Sequence, residues 1–230
     1  MSQIGTLLAA PAVTIIQGQA ACDQYLILGS VGSVLPIDSF TVEIDGKPFL
    51  LIQNQALINA FAKWQMEVDA IGTTISTMLK ISTGQIRKNT TYRFSNVGAT
   101  TPAIFAFSEA PNGVPLEVAS MQINPNSNET FEAFSALFLT PPSNITNMQI
   151  EFASGHTDTL TFQEAAGLFA LRYSDDNNGL LEGSIGPVLC IDNTDQSIVS
   201  VRVNTGAAAV DVLTAKIPDA AFGQFMKAMK

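Results

Sequence analysis

Residues 37–64 and 145–172 are two versions of one 28-residue phrase, set 108 positions apart and aligned without a gap. The first reads IDSFTVEIDGKPFLLIQNQALINAFAKW and the second ITNMQIEFASGHTDTLTFQEAAGLFALR. Ile37 and Ile145, Glu43 and Glu151, Gln55 and Gln163, Phe61 and Phe169, and Ala62 and Ala170 are identical pairs. Phe40 and Met148, Val42 and Ile150, and Ile44 and Phe152 are like for like. Five identities mean little in apolar text, but the order strand, turn, strand, helix reads in both copies. Gly98 and Gly206 share the same offset. A period this long is a duplicated domain, since solenoid repeats run about 20–50 residues. The 230-residue chain therefore divides into two units, residues 1–113 and 114–230, each of ordinary sandwich size.

Short strands separated by turn chemistry fill most of both units. Gln24–Gly29, Phe40–Ile44 and Phe49–Ile52 are apolar or alternating, and Asp45-Gly46 between the last two is a hairpin signal, because glycine accepts the positive φ of a tight turn. Further strands are expected at 75–81, 91–95, 103–108, 116–123, 131–139, 148–153, 188–191, 198–204 and 210–216. Ser82-Thr83-Gly84, Pro111-Asn112-Gly113, the run Pro141 to Asn144 and the run Asp175 to Gly179 are the turns between them. Such spacing indicates an all-β sandwich or barrel, not a βαβ fold.

Three segments carry helical periodicity. Residues 54–66 place Ala56, Leu57, Ala60, Phe61 and Trp64 on one stripe. Residues 163–173 form a short Ala- and Leu-rich helix. A C-terminal helix from Asp219 aligns Phe222, Phe225, Met226 and Met229, with Pro218 before it and Lys227 and Lys230 near its negative end. That stripe has three readings: packing on its own barrel, insertion into a neighbouring subunit, or contact with lipid.

Charged residues make up 13% of the chain, against roughly 25% in ordinary soluble proteins. Mean hydropathy is +0.25, yet no apolar run reaches the ~20 residues of a spanning helix. Two sandwiches side by side leave broad apolar flanks, and monomers rarely expose large ones. The composition thus fits a chain buried against other subunits. A net charge of −9 argues against nucleic acid as a specific partner, because phosphate binding needs clustered cations. Lys80, Arg87, Lys88 and Arg93 are the one basic group, either a solvated strand edge with ion pairs or an anionic contact. No Lys or Arg precedes Lys47, so a secretory leader is not expected. Asn89, Asn128 and Asn144 then begin glycosylation patterns by chance. Cys22 and Cys190 are expected as small buried hydrophobes, with a disulfide between them left open.

Catalytic chemistry is not expected. His156, the sole histidine, lies in a turn with Ser154 and Asp158, without the positioned nucleophile and orienting group that a general base needs. No phosphate loop, zinc spacing or metalloprotease motif occurs, so catalytic, cofactor and metal residues are expected to be none. Structural calcium stays open at two oxygen-rich loops, Asp175, Asp176, Asn177 and Asn178, and Asp192, Asn193 and Asp195. Asn and Asp also make good turns.

Two tandem barrels, each with a helix after a hairpin, resemble the double jelly-roll major capsid proteins of tailless icosahedral membrane-containing phages of the corticovirus and tectivirus type. The local likeness rests on Phe40, Thr41, Val42, Glu43, Ile44, Asp45, Gly46 and Lys47, which are similar to the V-E-L-D-G-R hairpin of corticovirus-type capsid proteins, with the strand Tyr25, Leu26, Ile27 and Leu28 before it. The chain is more compact than the family's usual members, which carry tower-like insertions. The resemblance implies two tandem jelly-roll β-sandwiches and a non-enzymatic major capsid protein, made in the host cytoplasm and located in the virion. It implies a homotrimer of pseudo-hexameric outline that joins an icosahedral lattice. Penton or spike proteins and an inner viral membrane would be its other partners. The alternative is a receptor- or carbohydrate-binding β-sandwich of spike or adhesin type, for which exposed loop aromatics would be the sign. The chain has one Trp and three Tyr, and Trp64 lies in a helix stripe.

Overall fold

A computed structural model describes residues 2–6, 12–17, 22–30, 37–69, 77–86, 90–96, 103–106, 117–170, 180–183 and 186–217. The chain separates into two compact units, one of residues 1–117 with 217–230 and the other of residues 118–216. Among the described residues, each is built from antiparallel sheets with one α-helix. The first contains β1 (Ser2–Thr6), β2 (Ala12–Gln17), β3 (Cys22–Ser30), β4 (Ile37–Ile44), β5 (Lys47–Gln53), α1 (Gln55–Asp69), β6 (Thr77–Ile86), β7 (Thr90–Asn96) and β8 (Ala103–Ala106). The second is made from β9 (Glu117–Ile123), β10 (Asn128–Glu132), β11 (Ala136–Thr140), β12 (Ile145–Phe152), β13 (Thr157–Leu160), α2 (Phe162–Ala170), β14 (Leu180–Gly183), β15 (Gly186–Asp192), β16 (Ile198–Thr205) and β17 (Val210–Lys216).

The strand orders of the two units are the same. The first unit has sheets β1-β8-β3-β6 and β2-β7-β4-β5; the second has β14-β15-β11-β17-β9 and β10-β16-β12-β13. Counted from each unit's own first strand, with β14 set aside as an addition, both read 1-8-3-6 and 2-7-4-5. The repeated phrase falls on β4, β5 and α1 in one unit and on β12, β13 and α2 in the other. Even an irregularity recurs at the 108-residue offset. Pairing of β4 with β7 slips between Ile37 and Ser39, and pairing of β12 with β16 slips between Ile145 and Asn147. The extra residue is Asp38 in one bulge and Thr146 in the other. A bulge re-aims a strand, so its position is as much a part of the fold as the strand order.

Local chemistry sets the turns and helix starts. Asp45 and Gly46 have φ of 52° and 71°, the pair of positive angles a two-residue hairpin turn requires. Asn54, at φ 83°, starts α1 by accepting the Ala56 N–H on its side chain at 3.0 Å. Thr161 starts α2 through a reciprocal box. Its N–H donates to Glu164 Oε2 at 2.7 Å, and its hydroxyl accepts the Glu164 N–H at 3.3 Å. The α1 stripe of Ala56, Leu57, Ala60, Phe61 and Trp64 is buried as expected, but Ile58, Asn59 and Ala62 are buried too. More than one face of this helix is therefore covered.

Alternation places the second core. From one sheet come Phe131, Met148, Ile150, Val201 and Val203; from the other come Leu137, Leu139, Leu189, Ile191, Val210 and Val212; Ala165 and Ala166 of α2 close it. On β11, β15 and β17 the remaining positions Phe138, Cys190, Leu213 and Ala215 are buried as well. That is why β11 and the Val188 to Ile191 part of β15 read as continuous apolar runs rather than as alternation.

Several expectations change. The strand expected over 131–139 is two strands in different sheets, because Ala133 takes φ 51° and the chain crosses between sheets at residues 133–135. Ser82-Thr83-Gly84 is no turn: β6 runs through it, and Thr83 and Gly84 oppose Gln24 alone between the pairs Asp23 with Gln85 and Tyr25 with Ser82. Glycine inside a strand pattern marks such a bulge. Strands β1, β2 and β14 were not expected, and β13 was expected only through the repeated order of strand, turn, strand and helix. The Pro141 to Asn144 turn is a short 3-10 turn over Pro142–Asn144. Pro111 to Gly113, Asp175 to Gly179, Gly98, Asn89, Arg87, Lys88, residues 171–173 and the C-terminal helix with Phe222, Phe225, Met226 and Met229 lie outside the described residues.

Candidate functional site

The outward faces of the sheets β2-β7-β4-β5 and β10-β16-β12-β13 are where the two otherwise parallel units differ. Residues paired directly across a sheet share a face. In the first unit one such row is Ile15, Arg93, Thr41 and Leu51, one residue from each of the four strands. Ile15 is 51% and Leu51 42% exposed, and Arg93 is exposed between them. The matching row in the second unit is Thr130, Arg202, Gln149 and Thr159. Its central arginine is kept, while both flanking apolar residues are replaced by threonine.

The second unit's outward face is otherwise polar. Asn204 Nδ2 donates to Asn147 Oδ1 at 2.7 Å. In the row beside Arg202, Ser200 stands between Glu132 and Glu151, and its hydroxyl donates to Glu151 Oε2 at 3.0 Å. Pairing of β12 with β16 slips between Glu151 and Phe152, which leaves Val199 as the extra residue, 47% exposed beside Ser200. A lone exposed apolar side chain thus stands next to the row that holds two carboxylates.

The residues singled out by sequence are dispersed. His156 is exposed in the turn between β12 and β13; its Nε2 pairs with Asp158 Oδ1 at 2.7 Å, and its ring stacks on Phe152 at 6.2 Å between centroids. The Ser154 hydroxyl accepts the His156 N–H at 3.5 Å. In the second oxygen-rich loop, Asn193 is turned inward: Oδ1 accepts the Ile198 N–H, while Nδ2 donates to the carbonyls of Phe134 and Ile198. Asp192 Oδ2 accepts from Thr194 Oγ1 at 2.7 Å, and Asp195 Oδ1 accepts the Ser197 N–H at 3.0 Å. These oxygens close the turn, and among the described residues no three His, Cys, Asp or Glu side chains are grouped to hold a metal ion. Cys190 is buried in β15 opposite Phe138. Trp64 is fully buried, stacked with Phe61 at 6.2 Å. Glu164 has its carboxyl held below the usual range by the Thr161 backbone N–H and then the Thr161 hydroxyl. Of the basic group, Arg93 is exposed on the first unit's sheet, and Lys80 belongs to β6.

The row with Ile15, Arg93 and Leu51 was not singled out as a unit by sequence reading. Its signal is visible only once register pairs Arg93 with Arg202 across the duplication. No described helix is long and apolar enough to cross a membrane.

No protein-family description and no curated sequence matches the chain. Among solved structures, the major capsid protein P2 from bacteriophage PM2 is similar, with a TM-score of 0.51 at 10% identity, covering 91% of this chain and 94% of that one. The likeness extends over both units and shows a shared all-β fold. A conserved protein of unknown function from Pseudomonas aeruginosa PAO1 (TM-score 0.27, 10% identity, 90% and 81% covered) and an IolB-like protein from Salmonella typhimurium LT2 (TM-score 0.30, 8% identity, 92% and 81% covered) follow. Their scores are too low to mark a common fold.

Proposed function

We propose that this chain is the major capsid subunit of an icosahedral phage virion, a double jelly roll that works by self-association and not by catalysis. The observation that carries the reading is the strand order, 1-8-3-6 and 2-7-4-5 in both units. A jelly roll is two packed sheets whose strands follow this interleaved order, and its repetition within one chain supports tandem barrels, one on each side of a boundary near residues 113–117. The whole-chain likeness to a phage major capsid protein supports the same reading.

Two like barrels per chain give three copies six similar flanks, so a homotrimer has a pseudo-hexameric outline suited to a shell lattice. Paired sheets keep most strand edges out of solvent, and exposed apolar residues on sheet faces supply association energy of roughly 25 cal/mol per Å² buried. Symmetric reuse of one contact closes the ring. Penton or spike proteins and an inner viral membrane are the other contacts this role requires, within a virion built from subunits made in the host cytoplasm. Trp64, the one tryptophan, is fully buried and offers no face for stacking a sugar, which disfavours the carbohydrate-binding alternative. Light scattering on the size-separated protein tests the proposal. A stable trimer or larger particle is expected; a single 24.4 kDa chain at all concentrations would overturn it.

A further inference from the structure

We infer that the outward face of the sheet β2-β7-β4-β5, centred on Ile15, Arg93 and Leu51, docks on a second copy of this chain, against the outward face of that copy's sheet β10-β16-β12-β13 at Glu132, Glu151 and Val199. The inference deepens the proposed function and rests on it.

The internal duplication acts as its own control. The same sheet row occurs twice in one chain, on the same strands and around an arginine, with threonines at its two ends in one unit and with Ile15 and Leu51 in the other. Threonine suits a solvated sheet face. Two large aliphatic side chains left 51% and 42% exposed on either side of a cation suit a covered one. The first row spans three strand intervals, about 14 Å, and Glu132 and Glu151 stand two intervals, about 10 Å, apart. With Arg93 set over either glutamate, Ile15, one strand interval away, falls over the strand that carries Ser200 and Val199, so that cation meets carboxylate and apolar meets apolar.

Charge selects which copy-to-copy contacts form. Residues 118–216 hold 11 Asp and Glu against 3 Lys and Arg, while the rest of the chain holds 9 against 8. The net charge of −9 thus resides almost wholly in the second unit. Two second units repel one another, whereas a first unit meets a second with little repulsion. Like-charge juxtaposition rejects wrong partners and complementary charge fixes register. The favoured contact joins unlike units head to tail, which is the arrangement that closes into a ring.

Light scattering over a concentration series tests this with full-length variants. Arg93→Glu, the pair Ile15→Thr with Leu51→Thr, and the pair Glu132→Arg with Glu151→Arg should each raise the concentration needed for half-assembly by about tenfold or more. Because all these side chains are on the exposed face, thermal unfolding followed by circular dichroism should stay close to the parent's. Combining Arg93→Glu with Glu132→Arg and Glu151→Arg should restore assembly. Unchanged assembly in every variant would overturn this face and leave the capsid reading standing. Weakened assembly without restoration would overturn the acidic sheet as the occupant. A parent chain that never assembles would sink the capsid reading itself.

Discussion

Asn193 holds Ile198 by both polar groups of its backbone: Oδ1 accepts the Ile198 N–H at 2.8 Å, and Nδ2 donates to the Ile198 carbonyl at 2.9 Å. The same amide donates to the Phe134 carbonyl at 3.1 Å. With Asn193 only 3% exposed, a single side chain ties the loop after β15 to the start of β16 and to the crossing between β10 and β11. Asn193→Ala leaves these groups buried without their partner, at a cost of about 2–4 kcal/mol. Asn193→Asp loses the two donated bonds and places a charge there, so it should cost at least as much. Urea unfolding should show a lower midpoint at unchanged slope for both.

The start of α2 should respond to acid. The Glu164 carboxyl is held below its ordinary value by bonds from Thr161, so ionisation favours the folded chain. That contribution is present above the unfolded carboxyl's pKa and is lost as pH falls through the lower folded value. Glu164→Gln should therefore flatten the stability profile on the acid side by lowering the neutral plateau, while leaving stability at low pH, where the parent's carboxyl is protonated, nearly unchanged. Thr161→Ala removes the cap and should cost about 1 kcal/mol at neutral pH. Equal acid sensitivity in Glu164→Gln and parent would contradict the box.

Glycines should respond according to backbone angle and not to space. Gly46 has φ 71° and Gly155 φ 82°, and a β-carbon on either meets no atom within 4 Å. Gly46→Ala and Gly155→Ala should nevertheless each lose about 1–2 kcal/mol, because the left-handed conformation is strained for alanine. Gly167 lies within α2 with equally open surroundings and no positive φ. Gly167→Ala should stabilise by about 0.5–1 kcal/mol. Thermal unfolding of the three variants should separate them by sign.

Core truncation should show that the units are equivalent. Phe40 and Met148 occupy matching positions of β4 and β12, both fully buried. Phe40→Ala should cost about 3–5 kcal/mol and Met148→Ala about 2–5 kcal/mol. Hydrogen exchange should place the weakened amides in residues 37–96 for the first and in residues 118–216 for the second. Loss of protection spread evenly over both would contradict separate cores.

What could be read from sequence was set by how each element hides its side chains. β4 with its Asp45-Gly46 turn, and β12 after it, were legible because half-buried strands alternate and tight turns demand particular residues. β13, the polar run Thr157–Leu160, has no such pattern and was legible only through its place in the repeated phrase, since it becomes a strand by pairing with β12. The crossing at residues 133–135 was hidden within one apolar run, where Ala133 carries no mark of its φ of 51°. Ser82-Thr83-Gly84 looked like a turn because bulges and turns use the same residues. The Thr161 and Glu164 box was present in the sequence as a plain T-x-x-E pattern and was not used. The docking row was beyond sequence reading, because Ile15, Arg93, Thr41 and Leu51 meet only through the register of four strands.

Electron cryomicroscopy of the assembled protein is the most direct test of the capsid account. A particle of three chains is expected, with three-fold symmetry, six near-equal lobes in projection and the sheet bearing Arg93 facing the acidic unit of the next chain. A two-fold dimer, or isolated chains at every concentration imaged, would contradict it.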